Sequence, residues 1–235
     1  MAIQLDLENF LQGSIALTFI IISFIVGINL LIKYKEHGQK QLLFAGLTWI
    51  FLVSPWFNTG FNFLYVIITG RSMDDNFYIL LGYSFVPIAL TFCLTLFTNY
   101  ILSQRRKIII TTSVIQGIIY EILLFYFVFT DLSLVATKID LFNDELSLPF
   151  LIYVLVSLIT VLIFGVLFGI DSYRSKNLEM KLKGEFILLA WPSFFIGALF
   201  DAGVFSLPPL PLIFIRLLLI SSAVEFYFSF FLPNW

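Results

Sequence analysis

Four ionisable side chains fall inside otherwise apolar stretches of this 235-residue chain: Glu121, Asp201, Arg216 and Glu225. At a helix centre in a bilayer an Arg or Asp costs about 2.5–3.5 kcal/mol on insertion scales, so such groups face a partner or a cavity. Asp201 and Arg216 stand on either side of the turn Leu207-Pro208-Pro209-Leu210-Pro211. Each lies about five residues inside it, which at about 1.5 Å per residue puts both about 7–8 Å deep on consecutive antiparallel helices. That match predicts one of two arrangements. Either the pair is a buried ion pair locking the two helices, or Arg216 anchors an anionic ligand from the outer side while Asp201 positions it.

Glu225 follows Arg216 by nine residues. On a helix this is a rotation of about 180° and a depth change of about 13–14 Å, so the two share no face. Ser221 and Ser222 would give Glu225 a polar stripe, and Glu121, past the midpoint of its own apolar run, is placed to meet a different helix. Each carboxyl is either a proton-coupling site of the kind a transporter uses or a protonated, hydrogen-bonded core group. Trp56, Asn58 and Asn62 in one proline-containing run, with Trp191 in another and Trp49 nearby, offer either aromatic core or the lining of a pocket for a lipid-like or planar ligand.

Other chemistry is poorly supplied. The single cysteine, Cys93, allows no internal disulfide and no Cys-rich metal or iron–sulfur site, and sits where a small buried hydrophobe belongs. The lone His37 lies among Lys33, Lys35 and Lys40, and His-Glu-x-x-His is absent. The expectation is therefore no metal, no cofactor, no catalytic residue and no enzyme activity.

The elements that must position these groups follow from composition. Hydrophobic residues make up 60% of the chain and charged residues 12%, and apolar runs of the length a bilayer requires recur along it. The reading is an all-α, seven-transmembrane-helix bundle, one integral membrane domain over residues 1–235, in the plasma (cell) membrane. The spans are predicted at about 10–32, 41–69, 77–102, 108–130, 148–170, 185–206 and 212–232. Met1 to Asn9 carries Asp6 and Glu8 without a basic residue, unlike the start of a signal peptide, so the first run is expected to be retained. Pro55, Pro87 and Pro192 fall inside spans and predict hinges. Gly165 and Gly169, four apart, predict a close helix contact within the chain or across a dimer. Residues 131–147 carry four acidic side chains, Asp131, Asp140, Asp144 and Glu145, against Lys138, and read as a solvated outer loop.

Orientation follows from the basic residues. Lys33, Lys35, Lys40, Arg105, Arg106, Lys107, Arg174, Lys176, Lys181 and Lys183 fall in one set of loops, while Arg71 and Lys138 fall in the other. The positive-inside rule makes the larger set cytoplasmic, with the amino terminus outside and the carboxyl terminus inside.

Pro55-Trp56-Phe57-Asn58-Thr59-Gly60 and Pro192-Ser193-Phe194-Phe195-Ile196-Gly197 share a Pro-x-Phe-x-x-Gly pattern. Such an echo fits two three-helix repeats joined by a single helix, as in some small sugar transporters, although the Pro-Gln dipeptide of those families is absent. Microbial rhodopsins share the topology but hold retinal on a lysine midway along the last helix, where this chain has Leu219 to Val224. Trp191-Pro192 has neither the spacing nor the companion signatures of G-protein-coupled receptors. Topology, length, Leu47-Thr48-Trp49-Ile50 in the second span and the ending from Glu225 to Trp235 resemble the seven-helix amino-terminal sensor region of prokaryotic histidine kinases. The resemblance implies a sensor or receptor-like module that relays a signal to a cytoplasmic partner. Its kinase domains would follow Trp235, so the chain reads as a cut sensor module or one that signals through a separate protein. The expected mechanism is ligand-biased movement of the kinked second and sixth helices, passed to Lys181, Lys183 and the carboxyl end. A small secondary transporter coupled through Glu121 or Glu225, and a non-catalytic subunit of a larger membrane complex, are the alternatives. Expected partners are the lipid bilayer, a cytoplasmic or membrane protein, and a small apolar or anionic ligand, with no nucleic acid.

Overall fold

Among the described residues are seven helical lengths, each long and apolar enough to cross a membrane, with one short β-hairpin between the fourth and fifth. In the computed structural model residues 3–201 and 209–231 are described, the side chains at 209, 210 and 212 excepted. The first length is α1 (Leu7–His37). The second is two helices, α2 (Lys40–Leu52) and α3 (Phe57–Thr69), and the third is again two, α4 (Asp75–Tyr83) and α5 (Val86–Thr98). α6 (Arg106–Thr130), strands β1 (Ala136–Lys138) and β2 (Asp144–Leu146), α7 (Leu148–Tyr173), α8 (Leu178–Asp201) and α9 (Pro209–Phe230) complete the order. α9 runs from Pro209, so the predicted seventh span from about 212 lies within it, while residues 202–206 of the predicted sixth span, 207–208 of the predicted turn and 232–235 of the predicted ending lie outside the described residues.

Local chemistry sets the helix ends. The Asp6 carboxylate accepts the Asn9 N–H at 2.7 Å and caps α1, which stops at Gly38, a residue at φ 69° that a side chain would strain. Pro55 has no N–H to return to the preceding turn, so the chain tightens into a 3-10 turn over Ser54–Trp56, closed by Trp56 N–H to the Val53 carbonyl at 3.0 Å. Pro87, near the start of α5, withdraws the donor that the Tyr83 carbonyl would receive. The Tyr120 hydroxyl of α6 donates to that carbonyl instead, at 3.4 Å. The predicted hinges at Pro55 and Pro87 are therefore interruptions of the helix.

Pro192 behaves differently. α8 is continuous from Leu178 to Asp201 with Pro192 inside it, so the sixth length has no break where a hinge was expected. Ala190, Trp191 and Phe194 beside it are 0–1% exposed, and packing on either side of the proline holds the helix together. The sequence echo between the second and sixth lengths accordingly does not extend to their shape.

Between helices, small residues permit close approach. A Cβ on Gly165 would lie 2.4 Å from the Trp191 ring, and one on Gly169 would lie 2.9 Å from Leu188, so the two-glycine face seats α7 against α8 within the chain. Trp49 stacks on Phe226 with centroids 4.2 Å apart and meets Trp191 and Phe194 edge-on, which ties the second, sixth and seventh lengths into one aromatic core. Ile118, Ile122 and Phe129 of α6 turn outward and are more than half exposed, an apolar exterior suited to lipid.

Residues 131–147 are not the solvated loop that their charge suggested. A 3-10 turn at Leu132–Leu134 leads into the hairpin, where Ala136 pairs with Leu146 and Lys138 with Asp144. Val135, Ala136 and Phe142 are at most 1% exposed. These apolar side chains give the segment a face to bury among the helix ends, and counting charges conceals that face. The fold is thus an all-α bundle closed at one end by a small antiparallel hairpin. The turns and helix ends bearing most of the basic residues close the opposite end.

Candidate functional site

Arg216 lies two turns into α9, and Asp201 is the last residue of α8. The Arg216 Nε donates to Asp201 Oδ1 at 2.9 Å, and Nη1 donates to the Gln12 carbonyl of α1 at 2.7 Å. The other oxygen of Asp201 accepts the indole N–H of Trp56, which the break after α2 carries. Four of the seven helical lengths meet at this one ion pair, whose side chains are 6% and 4% exposed. Removing two charges from water is costly, and the pair holds only because its geometry is close and further hydrogen bonds satisfy the rest of each group.

A second, part-buried carboxylate comes to the same place from the hairpin. Asp144 Oδ1 accepts from Asn58 Nδ2 at 2.9 Å, and Oδ2 accepts from the Tyr83 hydroxyl at 2.6 Å. Burial pushes the Asp144 carboxyl above the usual range, while the hydrogen bonds from Tyr83 and Asn58 and the charge of Lys138 pull partly the other way. The same hairpin is pinned along its length. Thr59 donates to the Phe142 carbonyl at 2.9 Å, Asn62 to the Leu141 carbonyl at 2.7 Å, and Asn143 to Gln12 at 3.1 Å. Lys138 Nζ reaches Asp75 and Ser72, each at 2.9 Å, and lies 4.6 Å from the centroid of the Tyr78 ring.

Between the ion pair and the hairpin lies a cavity offering about 120 Å³ to the centres of water molecules. At about 10–15 Å³ per water this is room for on the order of ten waters. Phe142 and Leu146 come from the hairpin, Val86 and Leu90 from α5, Leu158 and Val161 from α7, and Phe194 and Ala198 from α8. Its polar lining includes Asn58, Tyr83, Asp144, Asp201, Arg216 and Ser54. Both helix interruptions open onto it. Ser54 is fully buried, and its hydroxyl has no hydrogen-bond partner among the described residues.

Of the side chains singled out from sequence, Asp201, Arg216, Trp56 and Asn58 come together here. Trp191 does not: it is core, packed on Gly165 and Trp49. Asn62 is a joint for the loops, accepting from Met73 N–H at 2.8 Å as well as holding Leu141. Glu121 is half-buried on α6 outside the cavity lining, with Oε1 unpartnered among the described residues. Glu225 accepts from the Ser221 hydroxyl at 2.6 Å and also stands apart from the cavity. The predicted stripe beside it divides, since Ser222 is buried and donates to the Leu219 carbonyl at 2.6 Å. Sequence reasoning missed Asp144, Tyr83 and Ser54. The available signal for Asp144 was Val135, Ala136 and Phe142 set among loop charges, which is more apolar surface than a solvated loop carries.

No family model, curated protein or solved structure matches this chain.

Proposed function

We propose that this chain is a membrane-embedded seven-helix sensor, a receptor-like module that takes a small, mainly apolar ligand into the cavity beneath the hairpin. The observation that carries the reading is the cavity itself, which is walled by two helix interruptions and contains a buried ion pair joining four helical lengths. In this reading the hairpin end faces outside and the basic end faces the cytoplasm of a cell with this chain in its plasma membrane. The kinase-sensor likeness of the sequence supports the same direction of signalling, towards a separate cytoplasmic protein.

The mechanism differs from one hinged at the second and sixth helices. Ligand shifts the short pieces α3 and α4 about their interruptions, and α8, unbroken, carries the change from Phe194, Ala198 and Asp201 to Lys181 and Lys183 at its other end. The breaks occur in the second and third lengths, while α8 and α9, their counterparts in a three-one-three repeat, are continuous where described. That asymmetry favours a sensor over a transporter built from repeats.

A mild-detergent pull-down of the tagged chain from its native membrane, read by mass spectrometry, tests the reading. A stoichiometric signalling protein supports it. Purely structural membrane partners would move the assignment to a complex subunit. Recovery of the chain alone, with solute flux in liposomes that Glu121→Gln or Glu225→Gln abolishes, would replace it with a transporter.

A further inference from the structure

Resting on the sensor reading, we infer that the cavity selects an uncharged, largely apolar molecule of about 10–15 heavy atoms bearing one carbonyl-type hydrogen-bond acceptor. The size follows from space for on the order of ten waters, each with a liquid share of about 30 Å³.

The polarity follows from what the lining has already satisfied. Each carboxylate oxygen in the wall has a donor: Arg216 Nε and Trp56 Nε1 on Asp201, Asn58 Nδ2 and the Tyr83 hydroxyl on Asp144. Among the described residues, two donors have no acceptor. The Ser54 hydroxyl is buried without a partner, and Arg216, bonded through Nε and Nη1, makes no hydrogen bond through Nη2 to a described residue. Ser54 and Arg216 both line the cavity. A buried donor left unpaired is costly, so an occupant that brings an acceptor gains more than one that brings a further donor.

Charge decides between a neutral acceptor and an anion. Asp201 already neutralises Arg216 at 2.9 Å, and Asp144 adds a second carboxyl to the same lining. A ligand carboxylate would sit beside two acidic groups, with the guanidinium of the lining already paired. A ketone, aldehyde or ester brings an acceptor to this lining without that repulsion.

The test uses the full chain in lipid nanodiscs and four aryl probes of matched shape: 4-phenyl-2-butanone, butylbenzene, 3-phenylpropanoate and 3-phenylpropylamine. Binding is read by thermal shift and by quenching of tryptophan emission, since Trp56 lines the cavity. The ketone is expected to bind at least several-fold more tightly than each of the other three. Ser54→Ala is expected to weaken the ketone about 2- to 10-fold, the range of one hydrogen bond, and to leave the hydrocarbon unchanged. This variant removes a single oxygen, so it remains informative should an Arg216 variant fail to fold. A tighter carboxylate or amine, a ketone no better than butylbenzene, or a Ser54→Ala variant without selective effect overturns the ligand class. In those cases the sensor reading stands or falls separately, on whether the protein partner is found. Binding of none of the four overturns the class as well.

Discussion

Arg216 and Asp201 show how an apolar helix bundle handles charge. The pair is not merely matched in depth, since Trp56 and the Gln12 carbonyl complete its hydrogen bonding, and the loss of one member strands the other. Asp201→Asn is expected to cost about 3 kcal/mol or more of stability, the lower end for a broken buried pair. Thermal unfolding in detergent measures it, and an unchanged midpoint would show that the pair does not hold the helices. Asp144 poses a different question because burial raises its carboxyl. A raised acid is stabilising when protonated, so the docking of the hairpin is strongest below the ordinary carboxylate value near about pH 4 and weakens as pH rises through the higher docked value. Hydrogen exchange of the amides at 136–146 is expected to slow as pH is lowered towards 4, after correction for intrinsic rates. Asp144→Asn is expected to flatten that response. Both acids were visible in the sequence, but only Asp201 stood in an apolar run, the cue that marks a buried charge.

The elements divide into those with a local cause and those with a distant one. Pro55 and Pro87 break their helices because each removes a backbone donor, and a second helix, through Tyr120, repairs the carbonyl left by Pro87. Pro192 removes a donor too, yet packing around Trp191 and Phe194 overrides it. The same contact makes Gly165 sensitive. Gly165→Val would drive a branched side chain into the Trp191 ring, where even a Cβ falls 2.4 Å away. The expected loss is about 1–3 kcal/mol, from over-packing of a fitted contact. Unfolding midpoints for Gly165→Ala and Gly165→Val should fall in that order, and a valine variant as stable as the parent would mean that α7 and α8 are not held at this distance.

At the scale of the whole molecule, the hairpin and the basic turns lie at opposite ends of the bundle, so a single labelling experiment tests the proposed orientation. Cys93 is 0% exposed and should stay silent towards a membrane-impermeant maleimide, which leaves the unmodified chain as a clean background. In intact cells Thr137→Cys is expected to label and Lys176→Cys to label only after lysis. The reverse pattern would invert the topology, and the cavity would then open towards the cytoplasm.

Periodicity and run length act locally, and they were enough to set seven apolar lengths, two of the three proline effects and the depth match of Asp201 with Arg216. They could not set what the hairpin does, because Asp144 meets Asn58 and Tyr83 across 86 and 61 residues of chain. Nor could they separate Trp56 and Asn58, which line the cavity, from Trp191 and Asn62, which do not, since all four are similar residue types on similar helices. Local sequence carries propensity and pattern, whereas a cavity exists only where several helices pack imperfectly. Which side chains face that gap was decided by the tertiary structure alone.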